Sequence, residues 1–175
     1  MNALAKPVSK LPDVGTTIFT VMSALASEQG ALNLSQGFPD FDGPEPLLQA
    51  VNQRMRSGQN QYPPMAGVAA LREAIAEKVL DLYGLACDAD TEITVTAGAT
   101  EALFCAIAAV VHAGDEVIVL DPAYDSYDPV IRLQGAVPVH VSLMAPAYRI
   151  DWDRIEAAIT ANTRLLILNS PHNPT

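Results

Sequence analysis

Two cysteines, Cys87 and Cys105, are too few to staple a chain of 175 residues, so the small disulfide-framework classes are excluded. Cys105 falls in an apolar helical run and reads as a small core residue. Aromatic residues make up only 6% of the chain, and the core must come from aliphatic side chains. Basic residues are scarce as well: ten Lys and Arg against twenty Asp and Glu give a net charge of −10. That balance disfavours nucleic acid and anionic membrane surfaces as partners. Long apolar runs are missing. The longest uncharged one, 102–111, is about half of the ~20 residues needed to cross a bilayer, and residues 1–10 hold no apolar signal core. The expectation is a soluble, cytoplasmic protein that engages neither membrane nor nucleic acid. What is plentiful is Ala, Val, Leu and Ile, in a composition that is 50% hydrophobic. That is enough for a core of helices packed on a buried sheet.

Residues 1–42 carry Pro7, Pro12, Gly15, Gly30, Gly37 and Pro39 and read as an irregular arm with one short helix over 18–28. Pro near the first turn and Leu47, Leu48, Val51 and Met55 at helical spacing predict a helix over 44–57. Another is predicted over 68–83, with Leu71, Ile75, Val79 and Leu82 on one face and Gly84 as its stop. From there strands and helices alternate. Strands are predicted at 93–96, 117–120, 137–141 and 164–168, and helices at 100–112, 124–133 and 151–160, the last capped by Asp151. Alternation of this kind defines an α/β fold: a three-layer arrangement, mostly parallel sheet with helices on both faces.

Three strand ends carry candidate chemistry. At Thr96-Ala97-Gly98-Ala99-Thr100 a strand gives way to small residues and then a helix, so helix-start amides and the positive end of the dipole face the sheet edge. That is an anion site, or equally a tight turn that needs small residues. It is not GxGxxG and no Lys follows it, which argues against dinucleotides and nucleoside triphosphates. At Asp121-Pro122-Ala123-Tyr124 an aromatic reaches the same edge, either to stack on a planar ring or to cap the core. Asp121, Asp125 and Asp128 lack the ligand pattern of a calcium loop and read as solvated carboxylates. At Asn169-Ser170-Pro171-His172-Asn173-Pro174-Thr175 an Asn amide held between prolines can donate to an oxyanion, or simply cap a turn. His112, His140 and His172 are scattered, and no metal-ligand set emerges.

Taken in order, Leu34-Ser35-Gln36-Gly37-Phe38-Pro39-Asp40-Phe41, Gln61-Tyr62 with Gly67 and Leu71-Arg72, Thr96 through Leu103, Asp121 through Tyr124 and Asn169 through Thr175 resemble the N-terminal part of a fold-type I pyridoxal-phosphate-dependent aminotransferase. The similarity is strongest to the methionine and kynurenine (glutamine) aminotransferase subgroup. By that resemblance the cofactor is pyridoxal 5'-phosphate. Gly98, Ala99 and Thr100 hold its phosphate, Tyr124 stacks on its ring and Asn173 donates to its phenolic oxygen. Tyr62 reaches the phosphate of the other subunit of a homodimer, while Gly37 and Ile18 lie on the substrate side.

The resemblance also implies a division of the chain. Residues 1–42 form an N-terminal arm and the start of a small domain, and 43–175 form the N-terminal part of a cofactor-binding large domain. The lysine that carries the cofactor covalently, the Asp that keeps its ring protonated and the Arg that clamps the substrate carboxylate are then expected beyond Thr175. No catalytic residue is assigned within this chain. With four strands of a larger sheet, the 175 residues are expected to leave apolar surface open and to be inactive alone. The implied reaction of the parent is amino-group transfer between an amino acid (methionine, aromatic or glutamine) and a 2-oxo acid. The alternatives are a β-lyase acting on sulfur amino acids, and a non-catalytic binding or regulatory module.

Overall fold

The computed structural model describes residues 7–37 and 39–175. Residues 1–6 of the arm and Phe38 of the Gly37 motif lie outside the described residues. The chain divides into two compact units, one containing residues up to Val21 together with Gly98–Thr175, the other Met22–Ala97.

The first unit holds the sheet. Strand β1 (Glu116–Asp121) lies between β2 (Val137–Ser142) and β3 (Thr163–Ile167), all parallel, in the order β2-β1-β3. Helix α4 (Gly98–Val110) precedes β1, α5 (Tyr127–Leu133) joins β1 to β2, and α6 (Trp152–Ala158) joins β2 to β3. All four apolar residues of 117–120 are buried, as a central parallel strand covered on both faces requires. Val117 and Val119 pack with Ile107, Tyr127, Val130 and Ile131 on one face. Ile118 and Leu120 pack with Val141, Leu143 and Ile155 on the other. Asp151 caps α6 by accepting the Arg154 amide at 3.2 Å, as its sequence position predicts.

The second unit holds α2 (Glu45–Arg56) and α3 (Ala69–Tyr83); α1 (Ile18–Glu28) runs across the division. Helix α2 begins after Pro44 and complements its dipole with Glu45 in the first turn and Arg54 and Arg56 in the last. Helix α3 ends at Gly84 in the left-handed conformation, φ +65°, whose amide bonds to Leu80 O. The Arg72 guanidinium ties the start of α3 to the 88–92 turn through the carbonyls of Gly67 and Ala89 and the Asp90 carboxylate.

Four expectations need correction. Residues 93–96 do not form a ladder strand. Val95 donates instead to Ala66 O at 3.0 Å, and a strand exists only where a neighbour completes its hydrogen bonds. Helix α4 starts at Gly98, two residues early, with Gly98 at φ +85°. Helix α5 starts at Tyr127, so Tyr124 sits on a loop. Pro129 within the first turn of α5 costs no helical bond there, since first-turn amides have no intrahelical acceptor. Finally, Cys105 is exposed and not a core residue. The apolar stripes of α2 and α3 are likewise uncovered: Leu47, Leu48, Val51, Met55, Leu71 and Leu82 are all exposed.

Candidate functional site

The C-terminal ends of β1 and β3 and the N-terminus of α4 converge on one open cavity of about 600 Å³. That falls within the size range of small-ligand sites. Ala99, Ala102 and Leu103 of α4 form one wall. Tyr124 and Tyr127, from the loop after β1 and the start of α5, form a second, and Leu168, Asn169 and Asn173 after β3 form a third. None of the lining residues is a lysine.

Each wall follows from local sequence. Small side chains at Gly98 and Ala99 leave the backbone accessible, and a Cβ built on Gly98 would meet nothing within 4 Å. The amides of Ala99 and Thr100 belong to the first turn of α4, where the helix offers them no acceptor. They therefore present donors and dipole charge to an anion. The Tyr124 ring meets the Tyr127 ring edge-on, with centroids 5.8 Å apart and planes at 75°. Burial pushes the Tyr127 phenol up, and the neighbouring Tyr124 adds to this, while a hydrogen bond with the Asn169 side chain opposes both. Tyr127 thus stays a neutral phenol packed edge-on against Tyr124.

Of the residues singled out from sequence, Ala99, Tyr124 and Asn173 line this cavity together. Thr100 and Ile18 instead line an adjoining hollow of about 480 Å³ with Asp125 and Ser126. Gly37 and Tyr62 belong to the other unit; both are exposed, Tyr62 at 99%. His172 bonds to the Thr175 hydroxyl at 2.7 Å within its own turn. Sequence reasoning missed Tyr127 and Asn169. Their signal was the parallel register, which sets the ends of adjacent strands β1 and β3 side by side.

A helix start of small residues, an aromatic and an amide thus gather at one sheet edge of an α/β protein. Comparison with known proteins sharpens this. The family model described as aminotransferase class I and II matches residues 29–175. The chain is 58% identical over 168 residues to methionine aminotransferase of Escherichia coli (strain K12), covering 96% of this chain and 44% of that protein. It is 48% identical over 170 residues to a probable N-succinyldiaminopimelate aminotransferase DapC of Mycobacterium tuberculosis, covering 96% and 43%. Among solved structures, Escherichia coli YbdL, for which a methionine aminotransferase function was identified, superposes with a TM-score of 0.92 at 58% identity, over 97% of this chain and 44% of that one. The aspartate aminotransferase of Rhizobium meliloti superposes with a TM-score of 0.85 at 35% identity, over 98% and 44%. The chain belongs to the aminotransferase class I and II family, and it spans less than half the length of these relatives. Among the described residues no helix is long and apolar enough to cross a membrane.

Proposed function

We propose that the full-length protein is a pyridoxal-phosphate-dependent aminotransferase that moves an amino group between an amino acid and a 2-oxo acid. Methionine, aromatic amino acids and glutamine are the favoured donors. The observation that carries this reading is the gathering of Ala99, Tyr124 and Asn173 around one cavity in a chain of the aminotransferase family. The residues fit the cofactor: first-turn amides and the Thr100 hydroxyl suit a phosphate, Tyr124 suits a flat ring and the Asn173 amide suits a ring oxyanion. Pyridoxal phosphate, when bound, supplies the electron sink for the amino-group chemistry. This chain's residues bind and orient it.

In this reading the backbone of Gly98, Ala99 and Thr100 takes the phosphate, and Tyr124, braced by Tyr127, fixes the ring plane. Tyr62 reaches the phosphate held by the second subunit of a homodimer. Gly37 and Ile18 face the substrate. Residues 43–175 serve as the N-terminal part of the cofactor-binding domain and 1–42 as the arm before it. The 175 residues, which span less than half the length of the relatives they match, are expected to be inactive alone. A cytoplasmic setting agrees with two cysteines that are both free thiols.

The test is titration of full-length apoprotein with pyridoxal phosphate, followed by amino-group transfer from methionine to a 2-oxo acid. Thr100→Val removes one hydrogen bond to a charged group and should weaken cofactor binding roughly 10- to 100-fold. Asn173→Ala should shift the bound cofactor's absorbance as well as its affinity. Absence of cofactor binding would leave the non-catalytic module. Release of pyruvate and ammonia from sulfur amino acids without an acceptor oxo acid would establish the β-lyase instead.

A further inference from the structure

The loop carrying Tyr124 leaves β1 after Asp121 and enters α5 at Tyr127. One side chain grips both of its ends. His140, on the adjacent strand β2 and paired in register with Val119, places Nδ1 2.9 Å from Asp121 Oδ1 and Nε2 3.2 Å from Asp128 Oδ2. We infer that His140 is a positioning residue: its doubly protonated ring clasps Asp121 and Asp128 and holds the Tyr124 loop in its ligand-facing form, a grip that loosens when the ring loses a proton. The inference rests on the cofactor reading only in naming pyridoxal phosphate as the ligand that Tyr124 meets.

The chemistry is a matter of donor count. Two carboxylates offer acceptors only, so two N–H donors are needed between them. Imidazolium has two and neutral imidazole has one. A neutral ring would point a lone pair at one carboxylate and turn that hydrogen bond into a repulsion. The carboxylates consume both ring nitrogens, and among the described residues no group of His, Cys, Asp and Glu is placed to hold a metal. The surrounding charges are accounted for element by element. From β1 comes Asp121. From α5 come Asp128 and Arg132, the latter committed to Asp13 at 2.6 and 2.8 Å. From α6 comes Arg154, which borders the same shallow groove as His140 and lies 3.9 Å from Asp151.

Partial burial pulls the imidazole down, but the hydrogen bonds and charges of Asp121 and Asp128 outweigh it and hold the ring above the ordinary 6.5. A histidine raised on folding is fully clasped below 6.5 and lets go as pH climbs through its raised value. The three side chains are 37%, 37% and 40% exposed, so solvent screens the effect on overall stability. The consequence is local to residues 122–126.

The experiment uses the full-length protein in two states. Without cofactor, amide exchange over 122–128, corrected for intrinsic rates, is compared at about pH 6 and about pH 8.5. Wild type should lose roughly twofold to fivefold of its protection at the higher pH, while His140→Gln should be equally open at both. With cofactor, the ratio of wild-type to His140→Gln affinity for pyridoxal phosphate should fall by a similar factor over the same range. Taking the ratio removes the titration of the cofactor itself. Should His140→Gln fail to fold, Asp128→Asn must flatten the pH response, because its amide can donate to Nε2 of a neutral ring whose Nδ1–H still meets Asp121. The same pH response in wild type and either folded variant overturns the clasp. A His140-dependent loop in a protein that does not bind pyridoxal phosphate would retain the clasp and overturn the cofactor reading alone.

Discussion

Ile118→Ala is expected to cost the full-length protein about 2–5 kcal/mol of stability, against about 0.5–1.5 for Ile118→Val. Ile118 is fully buried in the middle of β1. It packs with Leu120, Val141, Leu143 and Ile155 under α6. Truncation removes three carbons from a site closed by strands on both sides, where the backbone cannot collapse to fill the void. Denaturant melts of the two variants measure the difference. Because β1 runs directly into Asp121 and the Tyr124 loop, the alanine variant should also bind cofactor more weakly. An alanine variant no less stable than the valine one would mean that β1 is not the anchor of the site.

The second large effect is expected at Gly67, in the other unit. Its φ is +97°, and a Cβ there would stand 2.6 Å from Val95 Cγ2 and 2.8 Å from Val95 Cβ. Two segments are held this close by the Val95 amide bonding to Ala66 O at 3.0 Å. Gly67→Ala therefore combines backbone strain of about 1–3 kcal/mol with overpacking of about 1–3 kcal/mol. Pairing it with Val95→Gly separates the two, since the double variant keeps the strain at position 67 and loses both close contacts, whereas alanine would retain the one to Cβ at 2.8 Å. If Val95→Gly gives no relief, strain alone accounts for the glycine.

The parallel architecture was legible because 117–120 is an unbroken apolar run between helical periodicities, a pattern that only a strand covered on both faces needs. Three of the four expected strands form. Residues 93–96 carry the right side chains, Ile93 and Val95 alternating with threonine, yet composition cannot supply the neighbour that makes a strand. The α5 boundary was misplaced because Tyr124 and Tyr127 both suit a helix start, and the choice depends on how far the loop must climb from the sheet edge.

Of the candidate site, what was legible is that Ala99, Tyr124 and Asn173 fall at strand ends and so come to line one cavity. The site was illegible where two distant segments meet. His140 reads as one of three scattered histidines until β2 lies beside β1. Asp121 and Asp128 read as solvated carboxylates until the same pairing brings one imidazole between them. Cys105 shows the converse: an apolar run identifies a helix, but not which of its faces is covered.

The sheet has a direction of growth. The amides of Val137 in β2 and, just beyond the strand, Leu143 donate to Asp115 O, immediately before β1, and to Asp121 O at its end, at 2.9 and 2.8 Å, so odd-numbered residues turn inward and even-numbered ones turn out. Pro138 is therefore outward-facing, and it has no N–H to offer where a further strand would dock. The outer edge of β3 contains no proline. A strand that enlarges this layer is therefore favoured on the free edge of β3, while Pro138 makes the edge of β2 a finished rim.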